Sequence, residues 1–136
     1  MSFRSVLRRS ALAGCVLLSG LLAGCDDNPV EPEVPAALPQ VIVECETNTA
    51  EVCGVWTRIG STDRYEAVWS QGSRAVITVV QFDSKAVVFT RGDTEGPSAD
   101  LVARYVGFMD GDAVEAGLVE WNTGGLTFYG RWTAQW

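Results

Sequence analysis

Few residue types able to carry chemistry occur in this chain. Histidine is absent from all 136 residues, which removes the commonest general base at neutral pH and the commonest metal ligand. Lys85 is the single lysine and sits in a turn-like stretch, Asp83-Ser84-Lys85. Without histidine no serine or cysteine has its usual base, and no two acids stand out as a dyad, so nucleophilic or acid–base catalysis has no starting constellation. The expectation is a protein that is not an enzyme. Asp110-Gly111-Asp112 with Glu115 offers oxygen atoms to calcium but lacks the full ligand series of such loops, so it reads as a hairpin turn, with no metal and no cofactor expected. What remains is aromatic: Trp56, Trp69, Trp121, Trp132 and Trp136. Tryptophans at alternating positions pack a core; the functional alternative is an aromatic face for an apolar ligand or a sugar ring. Trp56, Trp69 and Trp121 are the candidates for that face.

The elements that must position these residues are strands. Residues 41–136 show no convincing helical period, and alternating segments recur every ten or so positions between turn residues. Leu126, Phe128, Gly130, Trp132, Ala134 and Trp136 share one face of the last segment, with Trp132, Phe128 and Leu126 expected to point into the core. Before it come 113–121, with Ala113, Glu115, Gly117, Val119 and Trp121 on one face, and 101–108. Asp110-Gly111-Asp112 lies between these two. Earlier segments are 85–91, 74–82, 64–70, 53–59 and a short first strand at 41–45. The longest connection, 92–98, is the expected irregular loop, and Arg91-Gly92-Asp93 reads as a turn at its start. Seven or eight antiparallel strands with tight connections predict an all-β meander closed into a small barrel, with a two-layer sandwich as the alternative. Strands this short, rich in bulky residues, should leave the barrel interior filled.

The chain carries ten basic and seventeen acidic residues. An acidic chain argues against nucleic acid as a partner. Residues 1–10 hold three arginines and no acid, and residues 11–23 are an uncharged, mostly apolar run of about thirteen, shorter than the roughly 20 needed to span a membrane. That is the arrangement of an export signal. It ends in Leu22-Ala23-Gly24-Cys25, which resembles the lipobox of bacterial lipoproteins. The resemblance implies cleavage after Gly24 and a diacylglycerol, with palmitate-type chains, on the Cys25 sulfur, so that the partner at this end is a membrane. Residues 1–24 are then a lipoprotein signal peptide, 25–40 a tether and 41–136 the domain. The tether holds four of the five prolines and four acids, a composition that extends at about 3.1 Å per residue. Inner membrane, outer membrane and cell surface all remain open as destinations within the cell envelope.

Cys15 falls within the signal and Cys25 at the lipid site, leaving Cys45 and Cys53. In an exported domain such a pair is most simply a disulfide. Gly54-Val55-Trp56 resembles the Gly-x-Trp of lipocalin-like and avidin-like barrels. Trp69, Gly72 and Ala75 resemble the Trp-x-x-Gly-x-x-Ala stretch of envelope lipoproteins that inhibit lysozyme, although the Ser-Gly-x-x-Tyr segment of those proteins is here Ser61-Thr62-Asp63-Arg64-Tyr65, without the glycine. The expected function is therefore a lipid-anchored, non-enzymatic β domain with a binding or structural role. The alternatives are an inhibitor of an envelope-attacking enzyme such as lysozyme, and a binder of a small apolar or sugar ligand.

Overall fold

The computed structural model describes residues 37–136. The expected signal, Cys25 and residues 25–36 of the expected tether lie outside the described residues. The domain is an all-β closed barrel of eight antiparallel strands in sequence order: β1 (Val41–Thr47), β2 (Glu51–Arg58), β3 (Arg64–Trp69), β4 (Arg74–Phe82), β5 (Ala86–Glu95), β6 (Val102–Phe108), β7 (Ala113–Thr123) and β8 (Leu126–Gln135). Pairing of β1 with β8 closes the ring. Buried and exposed residues alternate along most of the strands, as a sheet with one face on a core requires.

Aromatic rings fill the interior. Trp56 is fully buried at the centre, with ring centroids of Phe89 at 5.3 Å, Tyr105 at 5.4 Å, Trp132 at 6.4 Å and Trp69 at 6.5 Å. Most of these pairs meet edge to face, the arrangement favoured by the ring quadrupole. Glycines make room for the indoles. Gly54 is paired with Trp69 and Gly117 with Trp132 across their ladders. A Cβ at Gly117 would lie 2.0 Å from Trp132 Nε1, and one at Gly130 would lie 2.3 Å from the Trp121 ring.

The β4–β5 ladder slips at two places and the β7–β8 ladder at one. Between Val114 and Gly117 the register of β7 slips against β8, so Val114 is buried, Glu115 and Ala116 are both exposed, and Gly117, Val119 and Trp121 resume the inner face. The single face expected for 113–121 is thus split by an extra residue. A slip between Val79 and Gln81 leaves Val80 exposed and returns Phe82 inward, and one between Arg74 and Ala75 leaves Thr94 as the extra residue of β5.

The turn expectations hold at one end and fail at the other. Asp83 accepts backbone N–H bonds from Lys85 and Ala86, and Asp110 bridges to Ala113 around Gly111. By contrast β5 continues to Glu95, so Arg91-Gly92-Asp93 is strand rather than turn, and the irregular connection is 96–101. Leu126 and Phe128 also depart from expectation: they are 63% and 42% exposed, while Trp132 is buried. All three occupy the inner face of β8, but β1 pairs with β8 only from Gln135 to Arg131. Residues 126–130 therefore pair with β7 alone and rise beyond the rim.

Cys45 and Cys53 form the expected disulfide, joining residues directly opposite in the β1–β2 ladder with Cα atoms 4.0 Å apart.

Candidate functional site

The two ends of the barrel differ. At one, where residues 37–40 join the first strand, the interior is stoppered by Leu38, Phe82, Met109 and Trp136. Phe82 and Trp136 rings lie 5.3 Å apart, and Tyr65 Oη donates to the Pro39 carbonyl at 2.8 Å. Burial raises the Tyr65 phenol above its ordinary value, with Arg58 opposing. Residues 37–40, Phe82, Met109 and Trp136 also line a recess of about 640 Å³ there.

The other end is polar, and its polarity comes from positions that a core-facing pattern would fill with apolar side chains. On β1, Ile42 is followed on the inner face by Glu44 and Glu46. On β5, Val87 and Phe89 are followed by Arg91 and Asp93. Glu44 is fully buried, Arg91 is 3% exposed, and Glu46 and Asp93 are each 9% exposed.

Arg91 is held on every side. Its guanidinium lies 3.6 Å above the Trp69 ring centroid. Nε and Nη2 donate to the two carboxylate oxygens of Asp93, the latter bond 2.8 Å long. Nη1 donates to both Glu46 oxygens at 3.1 Å and to Tyr105 Oη at 2.9 Å. Tyr105 Oη in turn donates to Glu46 Oε2 at 2.7 Å. Burial opposes the guanidinium charge, but Asp93, Tyr105 and Glu46 outweigh it and hold the Arg91 pKa above its ordinary value. Burial likewise pushes the Tyr105 phenol well up.

Glu44 lies one inward position deeper. Its Oε2 accepts the Trp69 indole N–H at 2.9 Å, and its carboxyl also meets that of Glu46. Burial first, and the Glu46 carboxylate second, push its pKa up to about 9. Glu44 is therefore protonated at neutral pH, which spares the core an uncompensated charge.

Above this network the rim forms a pocket of about 270 Å³, lined by Glu46, Arg91, Gln71, Leu101, Trp121 and Phe128 among others. Ser98, on the 96–101 loop, donates to Asp93 Oδ2 at 2.6 Å and meets Ser73 Oγ at 2.5 Å. Gly96 fixes that loop against the β3–β4 turn: its φ is +95°, and a Cβ there would lie 2.7 Å from the Gly72 carbonyl oxygen.

Of the three tryptophans singled out by sequence, Trp121 lines the mouth, Trp69 lies beneath Arg91, and Trp56 is enclosed in the core. Cys45 and Cys53 lie with Glu51 on the barrel wall, their sulfurs bonded to each other. Sequence reasoning missed Glu44, Glu46, Arg91 and Asp93. The available signal was their period-2 continuation of Ile42 and of Val87-x-Phe89. Compared with known proteins, the chain matches no family model, no curated protein and no solved structure.

Proposed function

We propose that this chain is a lipid-anchored protein of the bacterial cell envelope whose small barrel works as a non-enzymatic binding module. The lipobox Leu22-Ala23-Gly24-Cys25 and the charged-then-apolar leader support the anchor. The binding surface is the polar mouth, and the observation carrying this reading is the asymmetry of the barrel. The interior is occupied by side chains and one end is stoppered. The opposite end combines a buried ion network, a pocket and an overhanging hairpin with exposed Leu126, Phe128 and Tyr129. A folded core gains nothing from keeping Phe128 in water, and exposed apolar residues beside fixed polar groups are what an interaction surface presents. The mouth also lies at the end opposite residues 37–40.

The buried carboxyls support holding rather than turnover. Glu44 has no exposure, and Glu46 and Asp93 are committed to Arg91. A photo-crosslinking residue replacing Phe128 tests the assignment in cells. Adducts from position 128 and none from Val55 on the side wall support it; the reverse pattern refutes it.

Inhibition of an envelope-attacking enzyme such as lysozyme is the second reading. The acidic domain favours it, because complementary charge steers association with a basic enzyme. Micromolar protein that fails to slow lysis by lysozyme removes this reading and leaves the binding module standing.

A further inference from the structure

Trp121 and Phe128 stand directly opposite each other in the β7–β8 ladder, on the inner face. Side chains so paired sit side by side, making one aromatic shelf along the mouth. Glu46 lines the same pocket. A carboxylate offers about four acceptor sites. Glu46 accepts three hydrogen bonds, two at Oε2 and one at Oε1, and the Glu44 carboxyl meets it from beneath. The Glu46 side chain is 11% exposed, whereas that of Arg91 is 1% exposed. Arg91 lines the same pocket but lies deeper, so the edge that the network turns outward is the Glu46 carboxylate.

Charge points the same way. Glu46 and Asp93 face one guanidinium, leaving one negative charge over, and residues 41–136 hold seven basic and thirteen acidic residues. One layer deeper the fold already contains such a pairing, with the Arg91 guanidinium on the Trp69 face and against carboxylates. An aromatic face beside a carboxylate is the arrangement that attracts a partly desolvated guanidinium or ammonium group.

We propose that the mouth recognises a cationic side chain, arginine or lysine, presented by a basic protein partner, with the charge against Glu46 and the stem along Trp121 and Phe128. This rests on the mouth being the binding surface and adds the chemistry of what it takes. Buried groups that already satisfy Arg91 select by charge and shape, and a neutral isostere of arginine forgoes both the ion pair and the cation–π attraction.

The test uses the full chain in detergent with fluorine-labelled tryptophan, whose five resonances report separately. The probes are a Gly-Gly-Arg-Gly-Gly peptide and the same peptide with citrulline, which keeps the shape and loses the charge. The arginine peptide is expected to move the Trp121 resonance and leave those of Trp56 and Trp132 in place, with the citrulline peptide at least about tenfold weaker. Glu46→Gln should abolish the shift. Phe128→Ala, on the exposed part of the shelf, keeps the core intact and should weaken binding several-fold even if Glu46→Gln does not fold. Equal response to both peptides, or a Phe128→Ala variant that binds as tightly as the parent, overturns the proposal. If position 128 still crosslinks to a partner in cells, the cation is wrong and the mouth stands. If it does not, both fall.

Discussion

Glu44 makes a quantitative case for how this barrel stores polarity. Its carboxyl is fully buried, and its pKa is about 9 in the folded chain against an ordinary 4.5. Between those values the native state holds a proton that the unfolded chain has released. Stability therefore falls as pH rises through this window, by up to about 1.4 kcal/mol per unit, and levels off above about 9. At pH 7 the cost of keeping the proton reaches roughly 3 kcal/mol. Glu44→Gln supplies a neutral side chain of nearly the same shape, whose oxygen can still accept the Trp69 indole N–H. It should leave stability nearly unchanged at pH 4.5 and raise it by up to about 3 kcal/mol at pH 7, with a flatter pH dependence. Urea unfolding followed by tryptophan fluorescence from pH 5 to 8.5 reads this out, and the slope against urea should match in both proteins because the surface exposed is the same. Stability curves that run parallel across that range would show that Glu44 is ionised in the native state, and the reasoning about its burial would fail.

Three further outcomes follow from the packing. Gly117→Ala places a methyl 2.0 Å from Trp132 Nε1, and thermal unfolding should show a loss of about 1–3 kcal/mol from overpacking; an unchanged midpoint would mean the β7–β8 ladder yields freely. Arg91→Met leaves Glu46 and Asp93 buried without their cation and should cost about 3–5 kcal/mol at neutral pH, measured by denaturant midpoint, whereas Arg91→Met combined with Glu46→Gln and Asp93→Asn should recover part of that loss. Replacing Cys45 and Cys53 together by serine opens a short loop and should cost roughly 2–3 kcal/mol, with thiol labelling of the parent finding no free thiol at these positions under non-reducing conditions.

The barrel was legible because seven of its strands keep an unbroken or nearly unbroken period of two, with turns marked by Asp83-Ser84 and Asp110-Gly111-Asp112. The short first strand was visible too, although its inner face was not understood. The polar mouth was hidden by the same rule that exposed the fold. Reading apolar residues as inward places Arg91 and Asp93 outside the core, in a turn, yet backbone geometry carries them inward after Val87 and Phe89. What makes that tolerable is a set of partners from other strands: Glu46 on β1, Tyr105 on β6 and Ser98 on the following loop. No local pattern records such pairings. Phe128 was misplaced for a related reason. Its face was right, but whether an inner-face residue is covered depends on how far β1 accompanies β8, and β1 stops at the residue opposite Arg131. The bulge at Glu115 and Ala116 escaped notice because alternation of 113–121 continues on paper through the inserted residue.

The functional account stands on the domain being held to a membrane by lipid, with its mouth free to meet a partner. The most direct measurement is the intact mass of the protein extracted from the membrane fraction of its own cells. The account predicts a chain beginning at Cys25, two hydrogens lighter for the Cys45–Cys53 bond and heavier by a diacylglycerol on the Cys25 sulfur. A chain that carries no lipid, or that begins at any other residue, contradicts it.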